Sequence, residues 1–155
     1  MAQQRRTSVL LRMLSLWPPY LGAGIRVRPS ADLRTFDVRM KLRRWNRNYV
    51  NTHFGGSLYS MCDPFFMLIL IQALGRGYVV WDKAATIRFR RPGKGTVRAT
   101  FHIPQERVEE IRAAADRGEK IEPVFTVEVR DEQGEVIAEV EKLLYVRLAK
   151  PPGGG

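Results

Sequence analysis

The sequence predicts an α+β fold: an antiparallel β-sheet wrapped around one long central α-helix, with a short N-terminal helix and a side helix. Three observations carry this. A nearly continuous apolar stretch, Gly55–Leu74, opens on Gly55-Gly56, holds one carboxylate at Asp63 and is closed by Gly75 and Gly77. The segments on either side of it alternate apolar and polar residues, the period of a half-buried strand. At 155 residues the chain has the size of one domain able to bury a real core. Residues 65–71 have no polar face, so a helix there must be buried all round, and a sheet with one apolar face supplies the cover.

The elements follow in order. Residues 8–17 suit a short basic helix that Pro18-Pro19 would end. Residues 24–28 and 35–44 alternate as strands; in the second, Phe36, Val38, Met40 and Leu42 share one face and Asp37, Arg39, Lys41 and Arg43 the other. A polar loop with three asparagines, residues 45–52, leads to the helix. At about 1.5 Å per residue, the helix Gly55–Leu74 is roughly 30 Å long. Asp63-Pro64 interrupts its apolar run, and Pro64 cannot donate to the Ser60 carbonyl, which predicts a kink there. Residues 78–90 form a long strand, with Val79, Trp81, Lys83, Ala85, Ile87 and Phe89 on one face and Arg88 and Arg90 on the other. Residues 91–95 are its hairpin loop and residues 96–103 the return strand. Residues 104–118 read as the side helix, with Pro104 near its start, glutamates in its first turns and Gly118 as its stop. Residues 124–131 and Val136–Leu148 are the last two strands. The predicted organisation is an N-terminal basic helix and proline-rich linker over residues 1–23, one domain over 24–148 and a disordered tail over 149–155.

Composition narrows the chemistry. A single cysteine, Cys62, excludes an intramolecular disulfide and a cysteine-built metal cluster. The N-terminus lacks the uninterrupted apolar run and small-residue cleavage site of a secretory signal, so a soluble cytoplasmic protein is expected. The net charge of +10 is uneven: residues 1–100 hold 18 Lys/Arg against 4 Asp/Glu, and residues 101–155 hold 8 against 12. Such a field favours an anionic partner, whether nucleic acid, anionic lipid or a phosphate-bearing small molecule. Arg39, Lys41, Arg43 and Arg44 read as solvent-facing strand residues, and nothing resembling a recognition helix or zinc-ligand set accompanies them, so nucleic acid is disfavoured.

Gly55-Gly56 lets a backbone come close to a ligand at a helix start, where N–H groups lack intrahelical acceptors and can hold a developing oxyanion. Taken alone, the pattern reads first as a tight helix-opening turn that needs glycine for packing. Asp63 lies seven residues after Gly56, on the same face and about 10 Å along the axis. Set among Met61, Cys62, Phe65 and Phe66, its carboxylate would be buried and raised toward the general-base range. Ten ångströms is too far for Asp63 and its own glycine pair to act on one carbonyl, so a catalytic reading requires two chains.

The segment Asn48-Tyr-Val-Asn-Thr-His-Phe-Gly-Gly-Ser-Leu-Tyr-Ser-Met-Cys-Asp63 resembles the active-site segment of hotdog-fold thioesterases of the PaaI-like type, and residues 84–92 and 134–138 fit the same fold. The resemblance spans residues 24–148 and falls in an uncharacterised bacterial branch of the superfamily. It implies an oxyanion N–H from Gly56 or Gly55, with Asp63 of the neighbouring subunit as general base or nucleophile. It also implies that Asn48 orients nucleophile or substrate. It further implies a homodimer or homotetramer, and a coenzyme A thioester as substrate with no resident cofactor. One residue departs from the pattern: the family's histidine before the glycine pair is Phe54 here, with His53 one place earlier. Asp82 falls near the strand position where the family often carries a serine or threonine.

Two functions follow from this reading. The first is an acyl-CoA thioesterase, with an acyl slot bounded by Phe54, Tyr59, Phe65, Phe66 and Trp81, and with Arg90, Arg91 and Lys94 holding coenzyme A phosphates. The second is a non-catalytic acyl-CoA or fatty-acid binding protein on the same fold, which the Phe54 departure favours. A third reading, a basic binder of nucleic acid or a membrane surface, predicts salt-sensitive binding.

Overall fold

The computed structural model describes Leu11 and residues 13–149. A 3₁₀ turn, Met13–Leu16, precedes helix α1 (Pro18–Ala23) and strands β1 (Ile25–Pro29) and β2 (Thr35–Lys41). Helices α2 (Gly55–Ser60) and α3 (Phe65–Leu74) follow, then β3 (Tyr78–Phe89), β4 (Thr96–His102), helix α4 (Gln105–Asp116), β5 (Val124–Arg130) and β6 (Val136–Leu148). The six strands form one antiparallel sheet in the order β1-β2-β4-β5-β6-β3. The sheet curls around the central helix, as the alternating sequence predicts.

The core lies between them. Phe65, Phe66, Ile69, Leu70 and Leu74 are buried against the inward residues Phe36, Val38, Met40, Val97, Ala99 and Phe101. Aromatic rings set the contact: Phe65 lies 4.8 Å from Phe101 and 5.4 Å from Phe36, and Phe66 stacks on Phe125 at 5.0 Å. Each such ring buries enough apolar surface to dominate its neighbourhood. The side helix α4 docks through Val108, Ile111 and Ala115, one stripe at helical spacing. Its Arg112 guanidinium donates to the Ala73 and Leu74 carbonyls at 2.6 and 3.1 Å, which satisfies the end of α3.

Three local expectations are corrected. Pro18-Pro19 does not end a helix; it opens α1, because a fixed φ and a missing N–H suit the first helical turn. Of the expected helix over residues 8–17, residues 8–10 and 12 lie outside the described chain, and Met13–Leu16 is a 3₁₀ turn. The tail over 150–155 also lies outside it. The central helix is not continuous: it breaks between Ser60 and Phe65, where the Ser60 carbonyl accepts the Asp63 N–H instead of a helical partner. This is the kink that Pro64 predicts. In β3 a bulge between Asp82 and Ala84 changes which residues face the helix. Tyr78, Val80 and Asp82 point inward before it and Ala85, Ile87 and Phe89 after it, judged by their partners Val146, Leu144, Lys142 and Val140. Trp81 therefore lies on the outer face, stacked on Tyr145 at 4.3 Å, and does not bound an inner slot.

Candidate active site

Two groups of residues matter within the chain: one sits beside Phe89 at the end of β3, the other beside Asp82 near the strand's middle. The first is the helix mouth. Among the described residues neither the Gly55 nor the Gly56 N–H has an acceptor; the Phe54 carbonyl takes the Ser57 and Leu58 N–H groups instead. Both glycines also lie close beneath exposed aromatic rings, which a side chain there would have to displace. A Cβ on Gly55 would come within 2.9 Å of the Phe89 ring, and one on Gly56 within 2.5 Å of the Phe54 ring. The packing and oxyanion readings of the pair are thus compatible: the rings pack close over the glycines, and the two amides have no acceptor among the described residues.

The loop before the mouth is built by Asn48. Its Oδ1 accepts the Val50 and Thr52 N–H groups at 3.1 and 3.0 Å, and its Nδ2 donates to Thr52 Oγ1 and the His53 carbonyl. All four hydrogen-bonding positions of the amide are thus engaged within the loop, so Asn48 shapes it and has none left to orient a nucleophile. His53 is buried rather than at the surface, with Nε2 3.1 Å from the Gly95 carbonyl. Burial lowers its pKa. Asn48, Gly55, Arg90 and Arg91 line one open depression of about 420 Å³, so the structure brings these four sequence-predicted residues together, with His53 and Phe89 beside them. Arg90 and Arg88 face Glu139 at 3.6 and 3.7 Å, and Arg91 pairs with Glu135 at 2.7 Å. Only Lys94 of the predicted phosphate cluster is without a carboxylate partner among the described residues.

The second group is acidic and forms at the helix break. The Lys142 ammonium, on the inner face of β6 and 1% exposed, lies 2.6 Å from Asp63 Oδ1, 3.2 Å from Asp82 Oδ2 and 3.2 Å from the Tyr59 hydroxyl. Asp63 is not buried among Met61, Cys62, Phe65 and Phe66 as its sequence neighbours suggest. Those four turn into the core, and the break turns the Asp63 side chain outward to 42% exposure. Phe66 is accordingly core rather than slot lining. Tyr20, buried under the break, donates its hydroxyl to the Asp63 carbonyl and so ties α1 to it. Burial lowers the Lys142 pKa, but the Asp63 hydrogen bond and charge, with Tyr59 and Asp82 behind them, outweigh it and hold the ammonium above the usual lysine value. Asp82 moves the other way: burial raises its carboxyl above the usual range more than Lys142 lowers it, and Asp63 adds to the rise. Its Oδ1 is buried without a hydrogen-bond partner among the described residues. Burial also pushes the Cys62 thiol up to about 12, which makes it a core residue rather than a nucleophile.

Lys142 is the site residue that the sequence reading missed. The signal was present: Ala138, Val140, Lys142, Leu144 and Val146 occupy one strand face, and a lysine in such a row is either bulged out or paired inside.

The curled sheet, the central helix and the glycine-aspartate spacing place the chain among hotdog-fold, thioesterase-like proteins. Within that class it belongs to the family described as a domain of unknown function, DUF4442, whose model matches residues 5–146. Solved structures agree. A Pseudomonas aeruginosa protein of unknown function, named a probable thioesterase, matches with a TM-score of 0.77 at 26% identity, over 91% of this chain and 95% of that one. A thioesterase-named protein from Shewanella oneidensis matches at 0.68 and 20% identity, over 96% and 100% of the two chains. The Escherichia coli PaaI protein of the phenylacetic acid degradation operon matches at 0.57 and 18% identity, over 96% and 92%. A search of curated proteins returns no match.

Proposed function

We propose that the protein hydrolyses acyl-coenzyme A thioesters as a homodimer, with Asp63 as general base. The observation that carries this is the Asp63 carboxylate: open to solvent on one side and fixed on the other by a buried ammonium. A water held by Asp63 attacks the thioester carbonyl, its proton passing to the carboxylate. The oxyanion is held by the Gly55 and Gly56 amides of the facing chain, and the C–S bond then breaks, with the proton returning to the thiolate. Lys142 is a positioning residue here, fixing the Asp63 side chain in one rotamer through their 2.6 Å contact.

The dimer has a specific geometry. β3 is a 12-residue strand at the edge of the sheet, and its small central residues Ala84, Ala85 and Thr86 are exposed. Such an edge invites pairing. Asp82 lies beside Lys142 and the Asp63 centre, and Phe89 covers Gly55. Antiparallel pairing of β3 with its copy about a two-fold axis between Ala85 and Thr86 sets Asp82 of one chain opposite Phe89 of the other. The acidic centre of each then faces the helix mouth of its twin. Tyr59, Phe54 and Phe89 border the resulting slot, and Arg90, Arg91 and Lys94 lie on the side where coenzyme A phosphates would leave it.

A second reading has one observation in its favour: the Phe54 ring covers Gly56 where the resemblance expects histidine, which suits a protein that holds an acyl thioester without cleaving it. The deciding experiment is thiol release from a panel of acyl-coenzyme A substrates by the wild type and by Asp63→Asn. The hydrolase reading expects release by the wild type and a loss of roughly 100-fold or more in the variant. Equal rates, or thermal stabilisation by acyl-coenzyme A with no thiol released, would overturn it.

A further inference from the structure

The outer face of the sheet, away from both groups above, carries a row of cations in register. Arg26 of β1 pairs directly opposite Arg39 of β2, and Arg39 directly opposite Arg98 of β4. Adjacent strands are about 4.8 Å apart, so three guanidinium stems leave the sheet within about 10 Å. Like charges directly opposite each other destabilise a sheet. Arg26, Arg39 and Arg98 line one depression of about 590 Å³ together with Lys41 and Arg43, and no acidic residue lines it. None of these five cations makes an ion pair among the described residues. Two apolar side chains stand in the same depression: Leu21 of α1, 51% exposed, and Trp45, 66% exposed, with the Arg43 guanidinium over its ring at 5.3 Å.

We propose that this face docks on an anionic lipid bilayer. Five cations around one concavity match a surface of anionic headgroups, and each basic residue near such a surface adds to the attraction. An exposed tryptophan and leucine at the same place are what the boundary between headgroups and acyl chains accommodates. A nucleic acid would satisfy the cations and could stack on Trp45, but it leaves Leu21 in water. A second copy of the chain would bring the same cations against themselves. The inference does not depend on the thioesterase reading: none of the five cations borders the acidic centre or the helix mouth, and of the two apolar residues only Trp45 also shares a depression with Phe54 and Gly56.

The test is co-sedimentation of the full chain with phosphatidylcholine vesicles, with and without phosphatidylglycerol. Binding is expected only to the anionic vesicles, and about 0.5 M salt should remove it. Arg39→Glu should weaken binding at least about tenfold, since it removes one cation and adds an opposing charge. The same change should raise the melting temperature, by about 2–4 °C, because it relieves the register Arg26–Arg39–Arg98. Trp45→Ala should weaken binding several-fold and leave the salt dependence in place. Equal binding to neutral vesicles, no binding to either, or undiminished binding by Arg39→Glu would overturn the proposal. So would salt-sensitive binding of a short DNA or RNA duplex with no vesicle binding. If Arg39→Glu does not fold, Arg98→Gln makes the same comparison with a smaller change, an expected loss of a few-fold.

Discussion

An ammonium between two carboxylates constrains all three groups. Lys142 is the only one of them sealed from solvent, so it sets where Asp63 and Asp82 can be. Lys142→Met leaves Asp82 without its cation and should cost about 3 kcal/mol, at the lower end of the range for broken buried pairs because Asp63 is half exposed. Chemical denaturation measures that loss. The kinetic expectation is separate: kcat falls with KM little changed, and the acidic limb of the kcat/KM profile moves to higher pH, because two carboxylates then confront each other without a cation. A purely structural lysine would lower stability and leave that limb in place. Asp82 makes its own prediction through linkage. Its folded carboxyl titrates above the unfolded one, so the folded state binds the extra proton and stability falls as pH rises through that window. Relative to Asp82→Asn, the wild type should therefore lose stability as pH rises above the ordinary aspartate value, in urea melts repeated across the acidic range.

At the scale of elements, the bulge in β3 and the break before α3 do the positioning. The bulge leaves Lys83 as the extra residue, so that Asp82 and Ala85 both point inward. Deleting Lys83 sets Asp82 and Ala85 two residues apart, so the bulge closes while both halves of the strand keep their faces and the Asp82–Lys142 contact survives. Deleting Lys83 and Ala84 together turns one half of the strand over, and the expected outcome is loss of that contact and a fall in melting temperature of several degrees by circular dichroism. Arg112 supports the other end of the helix by capping the Ala73 and Leu74 carbonyls. Arg112→Ala should cost about 1–2 kcal/mol. These elements also mark where sequence reasoning succeeds. Strict alternation gave β2 and β4 their inward faces, because each strand runs without irregularity from one turn to the next. It failed for Trp81, since one unpaired residue reverses the alternation and nothing in residues 78–90 marks which residue is extra. It failed for Asp63 because local neighbours do not report a chain break that turns one side chain out while the residues on both sides turn in.

At the scale of the molecule, the proposed function requires two chains to meet along β3, and that pairing is measurable. Light scattering should give twice the chain mass, and Thr86→Pro, which cannot donate at the centre of the pairing edge, should shift the protein toward monomer. The glycine pair and Asp63 were legible together in the sequence as a spacing. Their distribution along β3, one beside Asp82 and the other beside Phe89, was not, because it depends on how the strand crosses the helix. That distribution means that on the proposed assembly no chain owns a complete catalytic centre. A polypeptide lacking the acid, Asp63→Ala, and one lacking an amide, Gly56→Pro, would each be inert alone. Co-refolded in equal amounts they should rescue one another: half of the pairs are mixed, each with one whole centre and one doubly defective, and about a quarter of full turnover returns.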